Sequence, residues 1–346
     1  MALRARLAAS ARSGALPGSL LIQGRRGIGK QRLALWLGQL LLCSAGETDP
    51  CGKCASCRYS TELQHPDLRW FFPRPRLLDA DAALEEVQED YAEAIAERVK
   101  GSGLYPPSSG TEGIFVSTVR ALVRMASMTP SMANRKVFIV GEAERMVPQE
   151  GSEFAANAFL KLLEEPPADT TLILTSSEPG ALLPTIRSRI VSIRATPLSD
   201  NEMDAFAADP AVKAKLPRVD TDWSTRRQMS GGSPGGLLAG ERAEVAVQAA
   251  RTLLAAISGS RADRMKAVTA LGGSKARGFF SEMLDALTVL LRDRAREAAR
   301  RDDGRRVVAA SRAVDVVEAA KLRAAGNVNP QLIGAALAGE LAELLA

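Results

Sequence analysis

The sequence predicts an α/β N-terminal part, with a parallel sheet flanked by helices, followed by an all-helical C-terminal part. Three observations predict it. Leu20-Leu21-Ile22 feeds a loop carrying Gly24, Gly27, Gly29 and Lys30, after which apolar residues recur at helical spacing. Continuous apolar runs at Lys136–Val140, Leu172–Thr175 and Ile190–Ile193 suit strands buried on both faces, and they alternate with helix-period segments. From about residue 197 strand signals stop, and an Ala/Leu/Arg-rich stretch follows.

In chain order, Leu3 and Leu7 at i, i+4 predict a short amphipathic helix ending before Pro17. After the glycine loop, Leu33, Trp36, Leu37, Leu40 and Leu41 form one helical stripe ending near Cys43. A cysteine-bearing excursion spans 43–57, and Asp67–Phe72 is a strand closed by Pro73. Residues 74–113 have the character of an insertion. Pro, Gly and Ser cluster at both ends of an acidic helix of about 79–100, whose stripe is Leu84, Val87, Tyr91 and Ile95. Such a helix is either a partner-binding arm or a solvated helix covering the surface. Ser117 is placed to cap a helix with Val119, Leu122, Val123 and Ala126 inward. A further helix at about 152–164 ends at Glu164-Glu-Pro-Pro167. Segment 198–240 predicts short helices around a Gly-Gly-Ser-Pro-Gly-Gly turn at 231–236. Segment 241–346 predicts helices broken near Gly259, Gly272-Gly273, Gly304 and Gly326-Asn327.

Composition narrows the function classes. The chain has 346 residues, 46% apolar and 25% charged, as expected of a globular protein with two or three domains. No apolar run approaches the roughly 20 residues of a membrane span. The N-terminus is Ala/Arg-rich with no acidic residue before Glu47, a little like a transit peptide, but it runs directly into the first strand. A net charge of +5 permits nucleic-acid contact, while only 4% aromatic residues argue against base stacking.

Gly24 to Lys30 spells G-x-x-x-x-G-K. Glycines let the backbone wrap an anion, the next helix turns its positive end to phosphate, and the lysine reaches the outer phosphates. The usual following Ser or Thr, which ligates Mg²⁺, is Gln31 here. A metal-holding Asp and water-orienting Glu are expected after a second strand. The strand Val137–Val140 is followed by Gly141-Glu142, so glycine stands where the aspartate belongs. Both metal-holding side chains are thus replaced, and hydrolysis by this chain should be very slow. The loop either keeps weak phosphate binding through Lys30 and the glycines or survives as scaffold. Glu142 keeps the water-orienting place with little to act on.

All four cysteines, Cys43, Cys51, Cys54 and Cys57, fall within 15 residues as C-x₇-C-x₂-C-x₂-C. Four thiolates satisfy tetrahedral Zn²⁺ and leave no open position, which predicts a structural clamp on the excursion. An iron–sulfur cluster or unliganded buried cysteines are the alternatives. His65, the only histidine, fits a His-Pro-Asp turn into the strand better than a ligand role.

The phosphate loop, the cysteine module, His65-Pro-Asp67, Asn157-Ala-Phe-Leu-Lys-Leu-Leu-Glu-Glu-Pro-Pro167 and Arg187-Ser-Arg189 stand in an order that closely resembles the bacterial clamp-loader family of AAA+ proteins. The resemblance covers nearly the whole chain. It implies an AAA+ P-loop domain (1–196, with the cysteine module at 43–57 and the insertion at 74–113), a helical lid (197–240) and a helical collar (241–346). Motor subunits (gamma/tau) keep intact versions of both metal-holding motifs. The degraded versions here resemble the non-motor, delta prime type of DNA polymerase III. That type implies a hetero-pentamer with gamma/tau and delta, acting on a sliding clamp and primed DNA at the replisome in the cytoplasm. It also implies an arginine finger, Arg189, offered in trans to ATP held by a neighbour, with Arg187 as stand-in. From position alone, Arg189 would instead pair locally with Glu164 or Glu165. The family's S-R-C reads Ser188-Arg189-Ile190, the insertion is longer than usual, and a segment that helps hold adenine is missing before the first helix. A divergent motor subunit with its own ATPase, or a stand-alone zinc-containing DNA-binding protein, are the rival readings.

Overall fold

The computed structural model describes residues 2–46, 48–77, 79, 82–101, 108, 112–146, 153–217, 222–238, 240–270, 277–325 and 329–345. The chain forms two compact units, Met1–Met203 with Gly232–Gly235, and Asp204–Gly231 with Gly236–Ala346.

The first unit is built on five strands: β1 (Ser19–Gln23), β2 (Leu68–Phe71), β3 (Lys136–Val140), β4 (Thr170–Ser176) and β5 (Val191–Arg194). All pair in parallel, in the order β2-β3-β4-β1-β5. Helix α1 (Ala2–Arg12) precedes β1, and α2 (Lys30–Leu42), α3 (Ala55–Thr61), α4 (Leu84–Lys100), α5 (Val116–Ala126), α6 (Glu153–Glu164) and α7 (Pro184–Arg187) lie between the strands in sequence. The expected α/β architecture is present. The apolar runs form strands because parallel ladders bury both faces: every residue of β3 and β4 is buried. Leu20, Leu21 and Ile22 of β1 meet Leu37 of α2 in the same core. Truncating one such side chain to Ala costs about 2–5 kcal/mol.

Two details differ from expectation. Ser117 does not cap α5; the N-cap is Phe115, without a side-chain bond, and Ser117 is buried inside the first turn. The run Ile190–Ile193 is not a buried strand. As β5 it pairs only with β1, at the sheet edge, and Val191 is 51% exposed.

The opposite edge strand, β2, leads into the 74–113 excursion. Arg74 and Gly113 exchange backbone hydrogen bonds, both 2.9 Å, which closes the base of the 74–113 excursion. Its helix α4 buries Val87, Tyr91 and Ala94, with Leu84 and Ile95 packed partly against the core. Tyr91 donates to the carbonyl of Phe72 (2.7 Å), Arg74 holds Asp90 with two bonds, and Arg98 lies 3.3 Å from the ring centre of Phe72. The helix therefore packs through this stripe onto Phe71 and Phe72 at the end of β2.

The second unit is helical: α8 (Asp200–Ala208, starting in the first unit), α9 (Pro210–Lys213), α10 (Trp223–Ser230), α11 (Pro234–Leu238, also shared), α12 (Gly240–Ile257), α13 (Arg261–Thr269), α14 (Arg277–Arg300), α15 (Gly304–Ala325) and α16 (Pro330–Leu345). Asp222 caps α10 by accepting from Thr225 N, and Gly231 at φ 56° ends it. Phe280, Met283, Leu284, Leu287 and Leu291 of α14 pack with Ala313 and Val317 of α15 and Leu337 of α16. Helix breaks occur near Gly259 and Gly304; those at Gly272-Gly273 and Gly326-Asn327 lie outside the described residues.

Candidate functional site: a phosphate loop and a four-cysteine module

The glycine loop joins β1 to α2 as the spacing predicts. Gly27 (φ 73°) and Gly29 (φ 92°) adopt left-handed conformations that side chains disfavour. Lys30 is buried, and its Nζ donates to the carbonyls of Gly24 and Arg25 (both 2.9 Å) and to Ser177 Oγ (2.8 Å). Ser177, at the end of β4, also donates its N–H to Glu144 Oε1 (2.9 Å). Two residues of the same unit rest on this loop: Gly235 N donates to Gly27 O (2.8 Å) and Ser233 Oγ to Arg26 O (2.9 Å). The approach is so close that a Cβ on Gly235 would stand 2.7 Å from Gly27 Cα.

Gln31 and Gly141 are brought together. Gln31 Oε1 accepts from Trp70 Nε1 of β2 (3.0 Å). A Cβ on Gly141 would lie 2.6 Å from Gln31 Cδ and closer still to Oε1. Glu142 sits at φ 51°, ψ 52°, a conformation rare outside glycine, with its N–H donating to Thr175 Oγ1. Its carboxylate is engaged by Arg145 Nε (3.2 Å) and Ser108 Oγ (3.1 Å).

The four cysteines converge, each sulfur within 4.8 Å of the others. Cys51 and Cys57 sulfurs are 3.9 Å apart, as are those of Cys54 and Cys43. Four thiolates about 2.3 Å from one tetrahedral ion would stand about 3.8 Å apart, so the set fits a metal. Backbone N–H groups of Cys51, Cys54 and Cys57 point to the sulfurs of Cys43, Cys51 and Cys54 (3.3–3.4 Å). The amides of Lys53 and Cys54 lower the Cys51 thiol. Burial works to raise Cys54, but the amides of Cys57 and Ser44 overrule it and hold that thiol at about 6. Burial pushes Cys57 up to about 12. Binding a cation there would release its proton. The module is anchored through Asp49, which accepts from Trp36 Nε1 (2.9 Å) and Arg4 (2.8 Å).

His65 Nδ1 accepts from Asp67 N (3.0 Å), as the turn reading expects. Asp67, the last residue of that turn, makes contacts that its place in the His-Pro-Asp motif does not reveal. It is 3% exposed and takes N–H bonds from Ser131, Met132 and Ala133 at 2.6–2.8 Å. Burial acts to raise its pKa, but those three amides win and lower it.

Arg189, between α7 and β5, is engaged locally. Its Nε is 2.6 Å from Glu164 Oε1, and its Nη1 donates to Thr185 O (2.9 Å) and Ser188 Oγ (3.2 Å). It thus makes the local pair foreseen for it, with Glu164. Arg187 is exposed.

A parallel sheet in which β1 lies between β4 and the edge strand β5, a G-x-x-x-x-G-K loop opening α2, and a second strand, β3, two positions away define an α/β P-loop protein. The sequence profile described as "DNA polymerase III, delta subunit" matches residues 2–199, more than half the chain, and the chain belongs to that family. It is 34% identical to DNA polymerase III subunit delta' of Pseudomonas aeruginosa over 51% of this chain and 42% of the relative. It is 26% identical to the Bacillus subtilis delta' subunit over 58% and 48%. A gamma/tau subunit of Mycobacterium tuberculosis is 32% identical over 51% and 24%. The chain thus spans less than half the length of these curated relatives.

Proposed function

We propose that the chain is a non-motor, delta prime-like subunit of a bacterial DNA polymerase III clamp loader. In this reading it assembles with gamma/tau and delta subunits into a hetero-pentamer that loads a sliding clamp onto primed DNA. It hydrolyses no ATP itself, and Arg189 reaches into a neighbour's site as an arginine finger. In this reading residues 197–240 serve as a lid and 241–346 as a collar, and the four cysteines hold a structural Zn²⁺. The observation that carries the reading is the position of Gln31, whose amide lies against Gly141 where a catalytic P-loop protein holds its metal. The exposed edge strand β5 supports the finger, since Leu183 (46% exposed) and Val191 (51%) flank Arg189 with apolar surface suited to a partner. The likeness to gamma/tau subunits favours the rival motor reading. One experiment separates them: co-purification with gamma/tau and delta subunits, with ATPase measured with and without this chain. Stable assembly, no turnover by the chain alone and stimulation of the complex are expected. Turnover by the isolated chain that Lys30→Ala abolishes would establish a motor instead.

A further inference from the structure

We propose that Gln31 and Gly141 are a single exchange: the Gln31 side-chain amide fills the position of the hydrated divalent cation. Because of it, this chain's loop does not take a metal–nucleotide complex. The inference rests on the non-motor reading and gives it a physical cause.

In a catalytic P-loop, a hydroxyl at position 31 and a carboxylate at position 141 face each other across one Mg²⁺. Here both neighbours of that space are altered in complementary ways. Residue 31 has gained a longer side chain, and residue 141 has lost its side chain altogether. The two changes fit into one volume: a Cβ at 141 would stand 2.6 Å from Gln31 Cδ and 2.9 Å from Nε2. Gln31 is kept from swinging away by Trp70 Nε1, which donates to its Oε1 at 3.0 Å from a ring that is 3% exposed. Gly141 does not need to be glycine for its backbone, because its φ is not positive. The missing Cβ is therefore explained by the occupied space and not by the turn. The rest of the loop is closed in the same sense. Lys30 is bonded to Gly24, Arg25 and Ser177, and Gly235 and Ser233 are bonded to the carbonyls of Gly27 and Arg26.

The test is a double-mutant cycle on the full chain, with melting temperature as one readout and fluorescent ATP-analogue binding in Mg²⁺ or EDTA as the other. Gly141→Ala adds only the Cβ and serves if Gly141→Asp does not fold. Either substitution is expected to lower the melting point by several degrees in the Gln31 background, and most of that loss should vanish beside Gln31→Ser. Losses that simply add, within error, would overturn the exchange. The unaltered chain is expected to show no nucleotide binding, or binding that is the same in Mg²⁺ and EDTA. Affinity tenfold higher in Mg²⁺ would overturn the filled cation position. ATP turnover by the unaltered chain would sink the non-motor reading itself, which is a separate result from a failed cycle.

Discussion

Replacing Arg189 by Ala separates a local structural role from an action in trans, because the two roles differ greatly in magnitude. Within the chain, the guanidinium holds Glu164 (2.6 Å), and the two side chains are 30% and 47% exposed. An ion pair so open to solvent contributes about 0.2–1 kcal/mol. In a domain of this size each kcal/mol moves the melting point by roughly 2–4 °C, so Arg189→Ala should melt no more than about 4 °C lower. An arginine finger contributes about 10³–10⁵ in rate at the site it serves. That is about 4–7 kcal/mol of barrier, at 1.36 kcal/mol per tenfold.

The assay is steady-state ATPase of the reconstituted complex, with gel filtration to follow assembly and thermal melting of the isolated chain. The expected pattern is a small melting shift, intact assembly, and a drop in turnover by at least the share of the one site this chain faces. Arg189→Lys should be nearly as impaired, since an ammonium keeps the charge but loses the planar fork. Glu164→Ala should leave turnover intact, because it releases the arginine without removing it. Unchanged turnover in Arg189→Ala would refute the finger. Loss of assembly together with turnover would show that the residue is part of the interface and not of the chemistry.

Two other expectations concern the cysteine module and Asp67. Metal analysis should give about one zinc per chain. Cys54→Ser keeps a residue able to cap α3, where the Cys54 sulfur accepts from Cys57 N, so the helix start survives while a thiolate is lost. Full zinc retention in that variant would contradict the four-sulfur site. Asp67→Asn should destabilise the first unit by about 2–4 kcal/mol, since hydrogen bonds to a charged group contribute about 1.5–3 kcal/mol each and the amide presents one acceptor oxygen in place of two. The folded Asp67 pKa lies below its unfolded value, so its contribution is present above about pH 4 and disappears as pH falls through the folded value. Denaturant midpoints measured from pH 7 to pH 3 should fall more steeply for the unaltered chain than for Asp67→Asn, and parallel curves would argue against the three-amide account.

Much of the fold was legible because the signals were local. The runs Lys136–Val140 and Leu172–Thr175 are long, branched and continuous, and both became buried parallel strands. The glycine loop and the cysteine spacing were equally legible, since each encodes its geometry within 15 residues or fewer. What failed depended on neighbours. Ile190–Ile193 has the same apolar look as a central strand, yet a four-residue run does not encode how many partners it will have. Its place beyond β1, at the open edge, makes it half solvent-facing. Ser117 has the right type for a cap but sits two residues too late, because the chain turns at Phe115 after the bridge between Arg74 and Gly113.

The phosphate loop shows the same limit in its sharpest form. Along the chain, Gln31 and Gly141 are two losses 110 residues apart, each of which a reader would count against catalysis separately. Only the pairing of β2 with β3, Trp70 opposite Ile139 and Phe71 opposite Val140, places the indole close enough to aim Gln31 at Gly141. The sheet order therefore converts two independent defects into one mutually dependent arrangement. A residue that merely decayed would leave a cavity or an unpaired polar group, and each carries a cost. Here the amide oxygen has a donor and the space beside Gly141 is filled. On the proposed exchange, restoring the carboxylate first meets the amide, and shortening the glutamine first abandons Trp70. On the proposed exchange, the loop is a packed structural element of the first unit and not a weakened catalytic one.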